Sequence, residues 1–146
     1  TGFITDWFRY NNDENWIINT EIKINTLDTS QLGIHTDSIG DGHNFGLWNI
    51  HGKWIDFNDN TSSGSQRITL NELNYGNNST LQLRITRNGN TVTWRITDDN
   101  GNTQTVPLQN ITQTSNTRLA MRCNGATTDI DLLSYTRLTK IEEEEE

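Results

Sequence analysis

The residues best suited to chemistry in this chain lie in "FGLWNIHGKWIDFND", residues 45–59. His51-Gly52 has the turn chemistry of a hairpin, with alternating residues on either side. Folded at that turn, Trp48, Ile50, Ile55 and Phe57 share one face, while Phe45, Leu47 and Trp54 share the other with Asn49, Asp56 and Asn58. An antiparallel strand ordinarily buries one face and wets the other. A tryptophan among amides and a carboxylate on the wet side therefore needs a reason. A sugar ring has apolar C–H faces and a rim of hydroxyls: an indole stacks on the former, while amides and carboxylates hydrogen-bond the latter. Trp54, Asp56, Asn49 and Asn58 meet that specification, and His35 and Asp37 on a neighbouring outward row extend it. The competing reading is that Trp54 is covered by a loop or packs on a second copy of the chain.

Other chemistries are less well served. Glycoside hydrolysis needs two facing carboxyls at a defined separation. Asp56 is the only acid placed firmly on a hairpin face, with Asp37 as its nearest conceivable partner. A Ser-His-Asp arrangement lacks a serine on a nucleophile elbow. No catalytic residue is assigned. Zinc is poorly served, because His35, His43 and His51 have no cysteine or histidine at ligand spacing. Calcium suits the oxygen-rich loops better, through Asp37 and Asp41 in "DSIGDGHN" and Asp129 and Asp131 in "TDID". Solvated loop acids are the simpler account of these four, so neither a metal site nor a cofactor is expected.

At 146 residues the chain fits one domain, residues 1–141, with an acidic tail or linker at 142–146. Hydrophobic residues are only 31%, yet five Trp, four Phe and three Tyr bring large apolar area to a core. Five of the acidic charges behind the net −8 lie in the terminal run, and no basic stripe is present. That argues against nucleic acid and anionic membrane surfaces as partners. No span has the length of a membrane helix, and no signal peptide opens the chain. A start at Thr1 reads as a piece cut from a longer polypeptide or a mature form. The single cysteine, Cys123, excludes an internal disulfide and alternates with Leu119 and Met121 as a small buried hydrophobe. The sequons at Asn60, Asn77, Asn78 and Asn110 are expected by chance in so Asn- and Thr-rich a chain.

The elements that must position the candidate site follow period two almost throughout. In residues 16–26, Trp16, Ile18, Ile22 and Ile24 share a face, opposite Asn19, Glu21, Lys23 and Asn25. Leu32 and Ile34 point inward, while His35 and Asp37 face out. A short strand is expected at 67–70, and "NELNYGNNS" is a connection rich in turn formers. In "STLQLRITRNGNTVTWRIT", placing Asn88-Gly89 at the centre of a type I′ turn pairs Ile85 with Val92, Leu83 with Trp94 and Leu81 with Ile96. The turn at "DDNGN" must be odd in length, with a bulge near Gly101, to return Val106 and Leu108 to the same face; Pro107 then points away from the core at an edge. "TRLAMRC" and "TDIDLLSYTRL" are the last strands. Trp7, Phe8 and Tyr10 cap one end of the core or seat the domain on its parent. Some ten to twelve short strands with little or no helix predict an all-β, two-sheet antiparallel sandwich.

Three segments resemble the concanavalin A-like lectin and glucanase jelly roll, the superfamily that includes laminin-G-like domains. They are "WIINTEIKI" as an early long strand, "LQLRITRNGNTVTWRITDDNG" as a strand, Asn-Gly turn and strand, and "TDIDLLSYTRL" as the closing strand. The resemblance implies two curved antiparallel sheets, adjacent first and last strands, and a sheet face able to cradle a glycan. The hydrolase pattern of that superfamily, two Glu and an Asp alternating along one strand, is absent: Glu21 has no acid two positions to either side, and Glu14 and Glu72 fall in expected loops.

The expectation is a non-catalytic glycan-binding module of a larger surface or virion protein, such as a phage tail component recognising a host-wall polysaccharide. Its partners are then a glycan and the parent polypeptide or neighbouring subunits, and its setting is extracellular or on a virion surface. A structural or adhesive domain for protein assembly is the alternative, and a glycosidase the third reading.

Overall fold

The computed structural model describes residues 8–9, 15–26, 30–36, 44–49, 53–58, 65–109, 116–123 and 129–139, with side chains described at 15–26, 53–55, 68–109, 119 and 130–138. All regular structure among them is β-strand. The strands are β1 (Phe8–Arg9), β2 (Trp16–Thr26), β3 (Ser30–Thr36), β4 (Asn44–Asn49), β5 (Trp54–Asn58), β6 (Ser65–Thr69), β7 (Thr80–Asn88), β8 (Thr91–Thr97), β9 (Thr103–Leu108), β10 (Asn116–Cys123) and β11 (Asp129–Thr139). They form a six-stranded sheet in the order β1-β10-β3-β4-β5-β6 and a five-stranded sheet in the order β11-β2-β7-β8-β9. Every pairing is antiparallel.

Period-two sequence becomes a shared core because each sheet turns its apolar face to the other. The five-stranded sheet contributes Trp16, Ile18, Ile22 and Ile24 from β2, Leu81, Leu83 and Ile85 from β7, and Val92, Trp94 and Ile96 from β8. Ile55 of β5 and Leu119 of β10 meet them from the six-stranded sheet. The connection 71–79 is more than a solvated turn, since Leu73 and Tyr75 are buried in the same cluster. The amide of Asn78, at φ 71°, donates to the Ile24 carbonyl at 2.6 Å and so pins this connection to β2.

The β7–β8 hairpin has the expected faces but a different register. Ile85 pairs with Trp94, Leu83 with Ile96 and Arg87 with Val92, two residues out from the sequence-based pairing. Gly89 carries the positive φ of 63° and Asn90 does not, the pattern of a type II′ turn centred on Gly89-Asn90. A two-residue shift leaves side-chain parity intact, so the apolar pattern cannot distinguish the two registers. The turn supplies the reason: Arg87, fully buried, donates from Nε to the Gly89 carbonyl at 2.9 Å, and Asn15 accepts from the Gly89 amide at 2.8 Å.

The next loop is as expected. Thr97 pairs with Thr103 across the five residues 98–102, and Gly101 has φ 86°. Val106 and Leu108 are buried, and Pro107 is exposed on the edge strand β9. In β11 the alternation breaks at Leu133, where the pairing with β2 shifts by one residue. Leu132 and Tyr135, three apart, both pack on the core. Buried Thr20 donates from Oγ1 to the Ser134 carbonyl at 2.7 Å, satisfying an acceptor beside the bulge.

Candidate functional site

The expected glycan residues fall largely on β4 and β5, with β6 beside them. Residues 50–52, including the His51-Gly52 turn, lie outside the described residues, but the register is centred on that pair: Trp48 opposes Ile55 and Asn49 opposes Trp54. Lys53, the residue before β5, has φ 61°, and its carbonyl accepts from the Leu70 amide at 2.8 Å. The Lys53 ammonium sits 4.8 Å from the centre of the Tyr75 ring, within cation–π range. Lys53 is thus fastened to the end of β6 and to the buried connection after it.

Ile55 is fully buried, so its neighbour Trp54 belongs to the opposite face of the sheet, where it is only partly buried. Row by row, the register runs Gln31–Asn49–Trp54–Thr69 across β3, β4, β5 and β6. The next row runs Gly33–Leu47–Asp56–Arg67, and beyond it Asn58 opposes Ser65. Positions 49, 54, 56 and 58 therefore gather on one face, as the sequence predicts. Phe45 does not join them. The one-residue shift between Gly33 and Ile34 places Phe45 opposite Ile34, whose partner Leu119 is buried, and this moves position 45 to the core side.

His35 lies on the same sheet, opposite Asn44 and Arg118. Four positions separate it from Gln31, which stands in the Trp54 row, so His35 is about 13 Å along the sheet from that row at 3.3 Å per residue. Asp37 lies outside the described residues. The β6 positions Ser65, Arg67 and Thr69 complete the rows, beyond the residues that the hairpin pattern alone brings together. The alternation of "SQRIT" is the signal for them: buried Leu70 and half-buried Ile68 show which register points inward.

A cross-sheet amide holds β6 in place beside Trp54. Gln104 of β9 donates from Nε2 to the Thr69 carbonyl at 3.0 Å, and its Oε1 accepts from the Glu72 amide at 3.1 Å. Thr69 is the direct cross-strand neighbour of Trp54. The five-stranded sheet thereby braces one wall of the candidate site.

Among the candidate calcium ligands, Asp131 accepts from Asn25 Nδ2 at 2.9 Å, while Asp37 and Asp41 lie outside the described residues. Among the described residues, no three His, Cys, Asp or Glu side chains come together in a metal-binding group. No helix among them is long and apolar enough to cross a membrane.

No protein-family model matches this sequence, and no curated protein sequence matches it either. Solved structures do match its fold. A Lotus tetragonolobus seed lectin superimposes with a TM-score of 0.69 at 10% identity, over 93% of this chain and 79% of the lectin. The toad ovary galectin solved with thio-digalactose gives 0.58 at 10% identity, over 94% of this chain and 98% of the galectin. The CBM2 module of the evolved Dit of Lactobacillus casei BL23 phage J-1 gives 0.56 at 12% identity, over 92% of this chain and 68% of that one. The chain has the lectin-type jelly-roll fold that its sequence resembles.

Proposed function

We propose that the protein is a non-catalytic glycan-binding module of a larger surface or virion protein, and that it holds a host-wall polysaccharide across β4, β5 and β6. One observation carries this reading: Trp54 stands on the face of the six-stranded sheet opposite fully buried Ile55, between Asn49 and Thr69. The indole supplies a stacking surface for the C–H face of a sugar ring. Asn49, Asp56 and Asn58 take its hydroxyls, Thr69 adds a donor from β6, and Arg67, at the position opposite Asp56, orients that carboxylate. His35 and Asp37 serve a more distant residue of an extended chain. The lectin and galectin likenesses support a saccharide ligand, and the likeness to a phage Dit module supports a virion setting.

Calorimetric titration with purified wall polysaccharides tests the proposal. Trp54→Ala is expected to weaken binding about tenfold or more, the loss of one aromatic stacking contact, with the fold retained and only a small fall in melting temperature. Equal affinity of the wild type and Trp54→Ala for every glycan that binds would overturn the site.

A second reading, protein assembly, has its own observation. Leu133 and Leu138 are 50% and 55% exposed on β11, an edge strand of the five-stranded sheet. Mass rising with concentration in sedimentation, together with silence toward all polysaccharides, would favour it.

A further inference from the structure

The outer face of the five-stranded sheet holds an open groove of about 380 Å³, on the opposite side of the molecule's core from Trp54. Four strands build it. One row runs Thr136–Asn19–Arg84–Arg95 and the next Ser134–Glu21–Gln82–Thr97. The bulge at Leu133 is what turns Ser134 and Thr136 outward into these rows, since unbroken alternation from Leu132 would carry them into the core.

Arg84 and Arg95 are direct cross-strand partners, and both are exposed. Like charges placed directly opposite destabilise an antiparallel pair. Among the described residues, neither guanidinium has a hydrogen bond or ion pair to offset that repulsion. Among the described residues that line it, one carboxylate, Glu21, stands against two guanidinium groups, a net cationic lining on a chain whose net charge is −8.

We propose that this groove is a second saccharide site, selective for acidic polysaccharides, in which Arg84 and Arg95 together hold a carboxylate or sulfate group. A guanidinium fork matches a planar or tetrahedral oxyanion with paired N–H donors, and two facing forks enclose one. The amides of Asn19 and Gln82 and the hydroxyls of Thr97 and Ser134 match the hydroxyl rim of the same sugar unit. Among the described residues the groove is lined by no aromatic side chain, so recognition here depends on charge and hydrogen bonding, whereas the Trp54 face depends on stacking. An acidic peptide is the poorer occupant: the groove lies on a sheet face whose backbone groups are already paired, leaving no edge to extend. The proposal is independent of the Trp54 site.

The test is affinity for polygalacturonate and dextran sulfate, each against its neutral counterpart, methyl-esterified polygalacturonate and plain dextran. It is run with wild type, an Arg84→Gln/Arg95→Gln double variant and Trp54→Ala. Wild type should prefer at least one anionic polymer by tenfold or more, with affinity falling as sodium chloride rises from 50 to 300 mM. The polymer bound identifies the oxyanion. The double variant should lose that preference and melt no lower than wild type, because it removes a repulsion, while Trp54→Ala should retain it. No preference for either anionic polymer, an unchanged preference in the double variant, or its loss in Trp54→Ala would overturn the proposal. A lowered melting temperature in the double variant would make the arginines structural. Equal binding of poly-L-glutamate would replace the saccharide with an acidic peptide.

Discussion

The Asn74 backbone N–H donates to Oδ2 of Asp98 at 2.8 Å, joining the connection after β6 to the loop after β8. Oδ1 of the same carboxylate accepts from the Asn100 and Asn102 amides, each at 2.9 Å, and the Asn102 side chain donates to Oδ2 at 3.1 Å. Asp98 is 5% exposed. Burial alone would raise its pKa, but the Asn74, Asn102 and Asn100 donors together outweigh it and hold the carboxyl below its ordinary value.

A depressed folded-state pKa stabilises the protein at any pH above the unfolded value, about 4, and that stabilisation is lost as pH falls through the folded value. Asp98→Asn keeps the shape but turns a donor toward N–H groups. It is expected to cost about 2 kcal/mol at pH 7. In chemical denaturation, the gap between wild type and variant should narrow below pH 4; a gap independent of pH would mean that the charge contributes nothing.

Trp94 is fully buried at the centre of β8. Trp94→Ala should cost about 3–5 kcal/mol, as truncation of a large core aromatic does. Among the described residues, its indole N–H lacks a hydrogen-bond partner. Trp94→Phe removes that buried donor along with part of the ring, so its cost should fall well short of the alanine variant's. Urea unfolding of the two variants side by side measures the difference.

Where the sequence is regular, its fold is legible. Trp16, Ile18, Ile22 and Ile24 in β2, and Val106 and Leu108 in β9, lie inside as alternation requires. What alternation misses are shifts that preserve or interrupt parity. The two-residue slip of β7 against β8 keeps every apolar residue on its face, and what distinguishes it is the bonding of Gly89 to Arg87 and Asn15 together with the Gly89 dihedral. The bulge at Leu133 is hidden for another reason: "LLSYTRL" supplies apolar residues at both parities, and the Thr20–Ser134 contact that favours one is non-local.

Gln104 links the two sheets beside the candidate site through Thr69 and Glu72. Its removal should have a small stability cost, since both bonds are near the surface, about 1 kcal/mol. Because Thr69 opposes Trp54, Gln104→Ala should also weaken glycan binding severalfold in calorimetry, whereas Gln104→Glu, which keeps the Glu72 contact alone, should lie between. A variant with full affinity would show that β6 needs no brace.

The site was half legible for a related reason. Trp54, Asn49, Asp56 and Asn58 are close in sequence, and one hairpin turn aligns them. Gln31, Arg67 and Thr69 reach the same rows only through strand order, which alternation does not encode. Parity alone places His35, and parity fixes the face without fixing the distance along it.

Arg67 and Asp56 occupy directly opposed positions on β6 and β5, the relation in which opposite charges favour each other. Asp56→Asn should weaken glycan binding about tenfold, because a carboxylate accepts sugar hydroxyls more strongly than an amide does. Arg67→Gln should do less in the wild-type background and almost nothing once residue 56 is neutral, since its part is to orient that carboxylate. A double-mutant cycle on binding free energy reads this as a coupling of about 0.5–1 kcal/mol. Additive effects would make the two residues independent contacts. Sugar release measured alongside should be zero in all four proteins, and reducing ends that appear in wild type and vanish in Asp56→Asn would turn the module into a hydrolase.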